Sequence, residues 1–299
     1  MSRVTSDPAT VPEGEWQVER LDLDAYLARI GLAGRPVATP RGLRLLHRAH
    51  ATAIPFENLD ILLGRPIRLD LDALQEKLVG RRRGGYSYEQ NLLRAAALER
   101  LGFGVTRLAA RVRLGAGRLT PRTHMTLRVE ASGTDWLADV GFGGEGLLDP
   151  LPLAGGAVTA QPGWNHALDR DEEGGWVLRA LHPDGWSDLY SFTTEPQHRV
   201  DYEVANHYVS THPRSSFVTG MVVQRSAPDR RLTLRGMRLV ETRPDGTETA
   251  ADLGAETVGA VLTERFGISL DAGELDALAA LARQAERDSS QSGFSRTSS

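Results

Sequence analysis

The chain has 299 residues, 40% of them apolar and 25% charged, with a formal net charge of −4. Such a chain buries an ample core in about two or three domains, and its mild acidity argues against a dedicated nucleic-acid binder. The absence of cysteine excludes disulfides, thiolate metal sites and a cysteine nucleophile, and a single lysine, Lys77, removes most Schiff-base chemistry.

No apolar run approaches the roughly 18 residues of a membrane span, and the first residues lack the order of a signal peptide, so a cytoplasmic protein without membrane contact is expected. Residues 1 to 18, with Pro8, Pro12 and Gly14, should be loose until Trp16 finds a place to bury. Leu21, Leu23, Tyr26, Leu27 and Ile30 suit a short helix. Thr39-Pro40 is a cap followed by an N1 proline, and Asp70 can cap a further helix carrying Leu74 and Leu78. Between these, Ile54-Pro55-Phe56-Glu57-Asn58-Leu59-Asp60 has neither a helical nor a strand period. Its Glu57 needs a partner if buried, and Arg83 is the candidate. A surface loop with a polar tip is the alternative.

The stretch Arg83-Gly84-Gly85-Tyr86-Ser87-Tyr88-Glu89-Gln90-Asn91 carries the chemistry. The glycine pair permits positive φ and close approach of the backbone, and Asn91 to Leu101 reads as a helix ended by Gly102. Ser87 would then sit at a helix entrance, where unpaired N–H groups favour an anion, or serve only as an N-cap. Arg81, Arg82 and Arg83 form a basic cluster, which reads most simply as a solvated face.

From Val105 the pattern is that of strands. Thr123 to Val129 alternates, and Asp135 to Val140 follows; closing the hairpin about Ala131 and Ser132 sets His124 opposite Asp139 and Arg128 opposite Asp135. A His124/Asp139 couple is therefore expected. Val140-Gly141-Phe142-Gly143-Gly144 follows directly, glycines that let backbone approach a ligand. Further strands are expected near Trp176 to Leu178, Leu189 to Phe192, Met221 to Gln224, Leu232 to Leu234 and Met237 to Val240. Residues 206 to 217 gather hydroxyls, Arg214 and two histidines in a proline-interrupted segment suited to a phosphate contact. His207 and His212 have the wrong spacing for one metal ion, and no metal site is expected. Helices near Val258 to Phe266 and Gly273 to Glu286 end the fold, and the serine-rich Asp288 to Ser299 should be disordered.

Four of these stretches, in this order, resemble the arylamine N-acetyltransferase family: Ile-Pro-Phe-Glu-Asn-Leu-Asp, Arg-Gly-Gly-Tyr-Ser-Tyr-Glu-Gln-Asn, the His124 strand and Leu-Ala-Asp-Val-Gly-Phe-Gly-Gly, with His-Pro-Arg-Ser-Ser-Phe agreeing as well. The likeness runs from about Arg20 to Ala280. It implies an α+β fold of three domains with a papain-like catalytic core: a helical domain over 1–103, a β-barrel over 104–205 and an α/β lid over 206–299. It also implies a nucleophile–His–Asp triad, with His124 and Asp139 as base and orienting acid and Ser87 where the family has its cysteine. Glu57 and Arg83 resemble a buried ion pair beneath the nucleophile loop, and Phe56 and Phe142 resemble walls of the acceptor pocket. Gly143, Gly144, Tyr208 and Ser216 match coenzyme A contacts, whereas Arg214 stands where a smaller polar residue is usual.

The implied activity is acetyl transfer from acetyl-CoA, a co-substrate and not a resident cofactor, to an arylamine or arylhydrazine by a ping-pong route. Serine would slow or silence it, because a hydroxyl cannot rest ionised as a thiol can and must lose its proton to His124 during attack. The alternatives are an amide synthase acting on a polyketide thioester and a non-catalytic binder of CoA or an aromatic compound.

Overall fold

The computed structural model describes residues 14–294 except 157 and 162. Helices dominate the first hundred residues: α1 Leu23–Arg29, α2 Pro40–Ala53, the single turns α3 Leu59–Leu62 and α4 Leu71–Leu74, and α5 Ser87–Arg100. The expected caps are present, with the Thr39 hydroxyl accepting Gly42 N–H at 3.2 Å and Asp70 accepting Ala73 N–H at 3.0 Å. Every residue of α5 from Ser87 to Leu98 is buried. Such a helix belongs at the centre of a fold; it packs against β2 Gly104–Val112 and β3 Arg122–Ala131. Gly102, at φ 87°, ends it.

β2 and β3 belong to a nearly closed antiparallel sheet of eight strands, completed by β4 Thr134–Ala138, β5 Leu151–Pro152, β6 Val158–Gln161, β7 Trp164–Arg170, β8 Trp176–His182 and β9 Gly185–Phe192, in the order β5-β4-β3-β2-β9-β8-β7-β6. The hairpin register differs from the expected one. Ser132 and Gly133, both at positive φ, form a two-residue turn, so Ala131 pairs with Thr134 and Leu127 with Ala138. The turn lies one residue later than expected, and the register slides by two. Arg128 therefore faces Leu137 and Asp135 faces Glu130, yet Arg128 Nη1 still reaches Asp135 Oδ2 at 3.4 Å along the diagonal, so the expected charge pair is present. A slide of two leaves every side chain on its face, because strand periodicity is two.

Beyond the sheet lie α6 Arg199–Thr211 and α7 Ser216–Thr219, then β10 Val222–Ser226, β11 Arg231–Arg235, β12 Arg238–Thr242 and β13 Glu248–Asp252, then α8 Val258–Val261, continued by a wider turn to Phe266, and α9 Ala272–Phe294. Residue 206, expected to open a domain, lies inside α6, and the proline-interrupted segment that starts there is helical as far as Thr211. The signal for that helix was Tyr202, Asn206 and Val209, its buried stripe. The disorder expected from Asp288 is also corrected, since α9 reaches Phe294; residues 295–299 and residues 1–13 of the loose start lie outside the described part.

The aperiodic Ile54–Asp60 stretch is no surface loop: all seven residues are buried. Phe56 and Glu57 form the short strand β1, which pairs with β10 at the edge of a five-stranded sheet β1-β10-β11-β12-β13. Phe56 also bridges to Gly85. One extended segment thus ties the Ser87 loop to the C-terminal sheet. Among the described residues no helix is long and apolar enough to cross a membrane.

Candidate active site

Ser87 is the first residue of α5, after Tyr86 as N-cap, with Glu89 accepting Tyr86 N–H at 3.0 Å. The glycines before it serve close approach and not positive φ, which falls on Arg82 instead. A Cβ on Gly84 would lie 2.1 Å from the Pro55 carbonyl oxygen, and one on Gly85 2.6 Å from a Glu89 carboxylate oxygen. Below the loop, Arg83 and Glu57 are both fully buried, with Arg83 Nε donating to Glu57 Oε1 at 3.0 Å and Nη2 lying 2.9 Å from the same oxygen. Lys77 bridges Asp60 at 2.9 Å and Glu89 at 2.7 Å. Burial works against the Lys77 charge, but Glu89, Glu57 and Asp60 outweigh it and raise its pKa. The loop of Ser87 therefore rests on a paired ionic lattice, and Arg83 is no part of a solvated basic face.

His124 and Asp139 meet despite the altered register. His124 Nε2 lies 2.6 Å from Asp139 Oδ2, with 4% and 1% of the two residues exposed. Asp139 follows the last residue of β4, so it reaches diagonally across the hairpin to the same face. Its other oxygen, Oδ1, accepts from Asn91 Nδ2 at 2.9 Å and from Gly141 N–H at 2.8 Å. Burial pushes the Asp139 carboxyl up, but the charge and hydrogen bond of His124, joined by Asn91 and Gly141, hold it below its ordinary value. A proton on Nε2 satisfies the carboxylate, which leaves Nδ1 as the basic nitrogen of the neutral ring. Phe142 and Tyr190 pack against that ring at centroid distances of 5.1 and 4.8 Å.

The serine hydroxyl and this couple share one place. Met125 N–H reaches Ser87 Oγ at 3.4 Å, setting the His124–Met125 peptide against the hydroxyl. From the other side, a Cβ on Gly141 would lie 2.6 Å from Ser87 Cα, so only glycine lets the chain after Asp139 close on α5. Asn91, four residues after Ser87 and on the same helix face, also donates to the Met125 carbonyl at 2.8 Å and accepts Val140 N–H at 3.2 Å. This asparagine clamps helix, strand and aspartate together. Sequence reading saw it only as the start of an apolar run, although its spacing from Ser87 was the available signal.

A cleft of about 390 Å³ lies over Ser87 and His124. Phe56, Phe142 and Phe217 line it, with Tyr208, Arg214 and Ser216 from α6, the next loop and α7. Gly143 and Gly144 do not: Gly144 N–H is taken by Gln224 Oε1 at 3.0 Å, and a Cβ on Gly143 would lie 2.1 Å from the same oxygen. The cleft lining holds four arginines, Arg113, Arg118, Arg214 and Arg235, and no carboxylate among the described residues. In a chain of net charge −4 this is a marked local excess of positive charge. A wider groove of about 1010 Å³ adjoins the cleft through Arg113, Arg118 and Thr120, but there Asp171 and Asp188 balance Arg113 at 3.5 and 3.3 Å.

Comparison with known proteins agrees with this geometry. The sequence profile of the family described as N-acetyltransferase matches residues 41–275. The arylamine N-acetyltransferase of Mycolicibacterium smegmatis is 44% identical over 272 residues, covering 89% of this chain and 98% of that relative. The crystal structure of Nocardia farcinica arylamine N-acetyltransferase is 49% identical and superposes with a TM-score of 0.85 over 91% of this chain and 98% of that one. The Mycobacterium marinum enzyme in complex with CoA is 40% identical, with a TM-score of 0.81 over 86% and 98% of the two chains.

Proposed function

This chain belongs to the arylamine N-acetyltransferase family, and from that premise we propose that it transfers an acetyl group from acetyl-CoA to the nitrogen of an arylamine through Ser87, His124 and Asp139. The observation that carries the reading is the His124–Asp139 hydrogen bond of 2.6 Å, buried against the first turn of the helix that begins with Ser87.

Ser87 Oγ attacks the thioester carbonyl carbon while its proton passes to His124 Nδ1. The carbon–sulfur bond then breaks, and the CoA sulfur leaves with the proton from the imidazolium. First-turn N–H groups of α5, which lack helical acceptors, face the charge that develops on the carbonyl oxygen. In the second half, the amine nitrogen attacks the acetyl ester and gives up a proton to His124. The carbon–oxygen bond breaks, and Ser87 recovers its proton. Asp139 orients the ring and stabilises the imidazolium formed in each half.

Arg118, Arg214 and Arg235, which have no ion-pair partner among the described residues, suit the phosphates of a CoA thioester. A volume near 390 Å³ with phenylalanine walls suits a small flat acceptor. A long polyketide acceptor would have to lie in the adjoining groove. Steady-state assay of arylamine acetylation, compared with the rate of CoA release without acceptor, tests the reading. Acetyl transfer above the rate of thioester hydrolysis supports it; CoA binding without acylation of Ser87 favours a non-catalytic binder.

A further inference from the structure

A second cavity, of about 230 Å³, lies where α5 and α6 meet β2 and β3, and its lining shares only His124 with that of the Ser87 cleft. Neighbouring residues of the same helices divide between the two spaces. On α5, Ser87 lines the cleft and Tyr88 the cavity; on α6, Tyr208 and Val209 line the cleft, whereas Tyr202 and Ala205 line the cavity.

Tyr88 and Tyr202 are 1% and 2% exposed, with ring centroids 5.8 Å apart, and their hydroxyls have no hydrogen-bond partner among the described residues. A buried phenol ordinarily finds such a partner, and leaving it unpaired is costly. Burial raises the pKa of both phenols, so each stays neutral and keeps the capacity to donate and to accept. The rest of the wall is apolar, with Ala109 from β2 and, from α6, Ala205 and a Val204 that is 70% exposed. Arg122 and Asp201, the charged residues of the lining, are of opposite sign and already engaged: Arg122 pairs with Glu195 at 3.2 Å, and Asp201 accepts His198 N–H at 2.8 Å. The cavity therefore offers an ion little, unlike the cleft with its unpaired Arg118, Arg214 and Arg235.

We propose that this cavity is a ligand site of its own, taking one neutral aromatic ring that carries a hydroxyl or amino group. The size fits, since a void of about 150 Å³ holds a benzene ring and 230 Å³ leaves room for one substituent. The ring packs against the alanines, Val204 and the faces of the two tyrosines, and its polar group meets phenols that still have hydrogen bonds to give and take. Because His124 borders both spaces, a ligand held here lies beside the imidazole without entering the cleft. Binding at this site is independent of the reading of Ser87 as nucleophile.

The test is fluorine NMR of the full-length protein labelled with 3-fluorotyrosine and titrated with phenol, the signals of Tyr88, Tyr202 and Tyr208 being assigned through Tyr88→Phe, Tyr202→Phe and Tyr208→Phe. Tyr208 reports on the cleft, the other two on the cavity. The Tyr88 and Tyr202 signals should move together along one saturable curve. Val204→Trp, which adds bulk to the cavity from an exposed position, should weaken that binding about tenfold or more. Tyr202→Phe, followed at Tyr88, should weaken it about five- to tenfold through the lost hydroxyl. Sodium benzoate, a similar ring bearing a full charge, should bind there at least about tenfold less tightly than phenol. If Val204→Trp does not fold, Ala205→Leu narrows the cavity with the same expectation. Movement of Tyr208 alone, no movement at all, an undiminished Tyr88 response in the folded bulky variant, or benzoate bound as tightly as phenol overturns the proposal.

Discussion

Asn91→Ala removes the clamp at the centre of the site, and its cost can be worked bond by bond. Three hydrogen bonds are lost: one to the Asp139 carboxylate at 2.9 Å, one to the Met125 carbonyl at 2.8 Å and one from Val140 N–H at 3.2 Å. All lie in buried surroundings, with Asn91 itself at 0% exposure, so water does not readily replace them. A buried backbone group left unpaired costs about 1–3 kcal/mol, and a bond to a charged group contributes about 1.5–3 kcal/mol. Relaxation recovers part of this, giving an expected loss of about 4 kcal/mol. Urea unfolding followed by tryptophan fluorescence measures it through the shift in midpoint at constant slope. Acylation should fall as well, by about tenfold or more, because Asp139 and the loop that closes on Ser87 lose a common support. A loss below about 1 kcal/mol with acylation unchanged would refute the clamp and leave Asn91 as a replaceable filler.

Ser87→Cys should raise the acylation rate by about a hundredfold or more, because the thiol can ionise before attack; stopped-flow release of CoA reads it. Arg214→Ala with Arg235→Ala should raise KM for acetyl-CoA about tenfold at low salt with kcat nearly unchanged, and the difference should shrink as salt is added. Glu57→Gln takes from buried Arg83 its nearest anion, leaving Asp60 at 3.4 Å and Glu274 at 3.8 Å, and should cost about 3 kcal/mol, as the urea midpoint will tell. The folded Asp139 carboxyl sits below its ordinary value of 3.8, so its contribution is complete above that pH and is lost as pH falls through the lower folded value. Acid unfolding of Asp139→Asn should accordingly be flatter below about pH 4 than that of the parent chain.

The fold and the His124–Asp139 couple were legible in the sequence to different depths. Strand parity placed His124 and Asp139 on one face, and that survived a register slide of two because faces repeat every second residue. The register itself was misread because the choice between Ala131-Ser132 and Ser132-Gly133 as turn depends on which pair accepts positive φ, and glycine decides it. Local chemistry pointed to Glu57 and Arg83, but Lys77, Asp60 and Glu89 joined them only through tertiary packing. Gly143 and Gly144 carried a signal for close approach, and the group they approach is the Gln224 side chain, itself part of the cleft lining. The burial of Arg94 had no signal, because an arginine among leucines and alanines is ordinarily the solvent side of a helix, and α5 is buried on all sides from Ser87 to Leu98.

Peptide mass spectrometry after incubation with acetyl-CoA tests the central claim most directly, aided by the burial of the sole lysine, Lys77, which limits adventitious acetylation. One acetyl group should appear on the peptide bearing Ser87, be absent from Ser87→Ala and His124→Gln, and discharge when an arylamine is added. An unmodified Ser87 peptide under saturating acetyl-CoA, or an acetyl group that forms equally without His124, would contradict it.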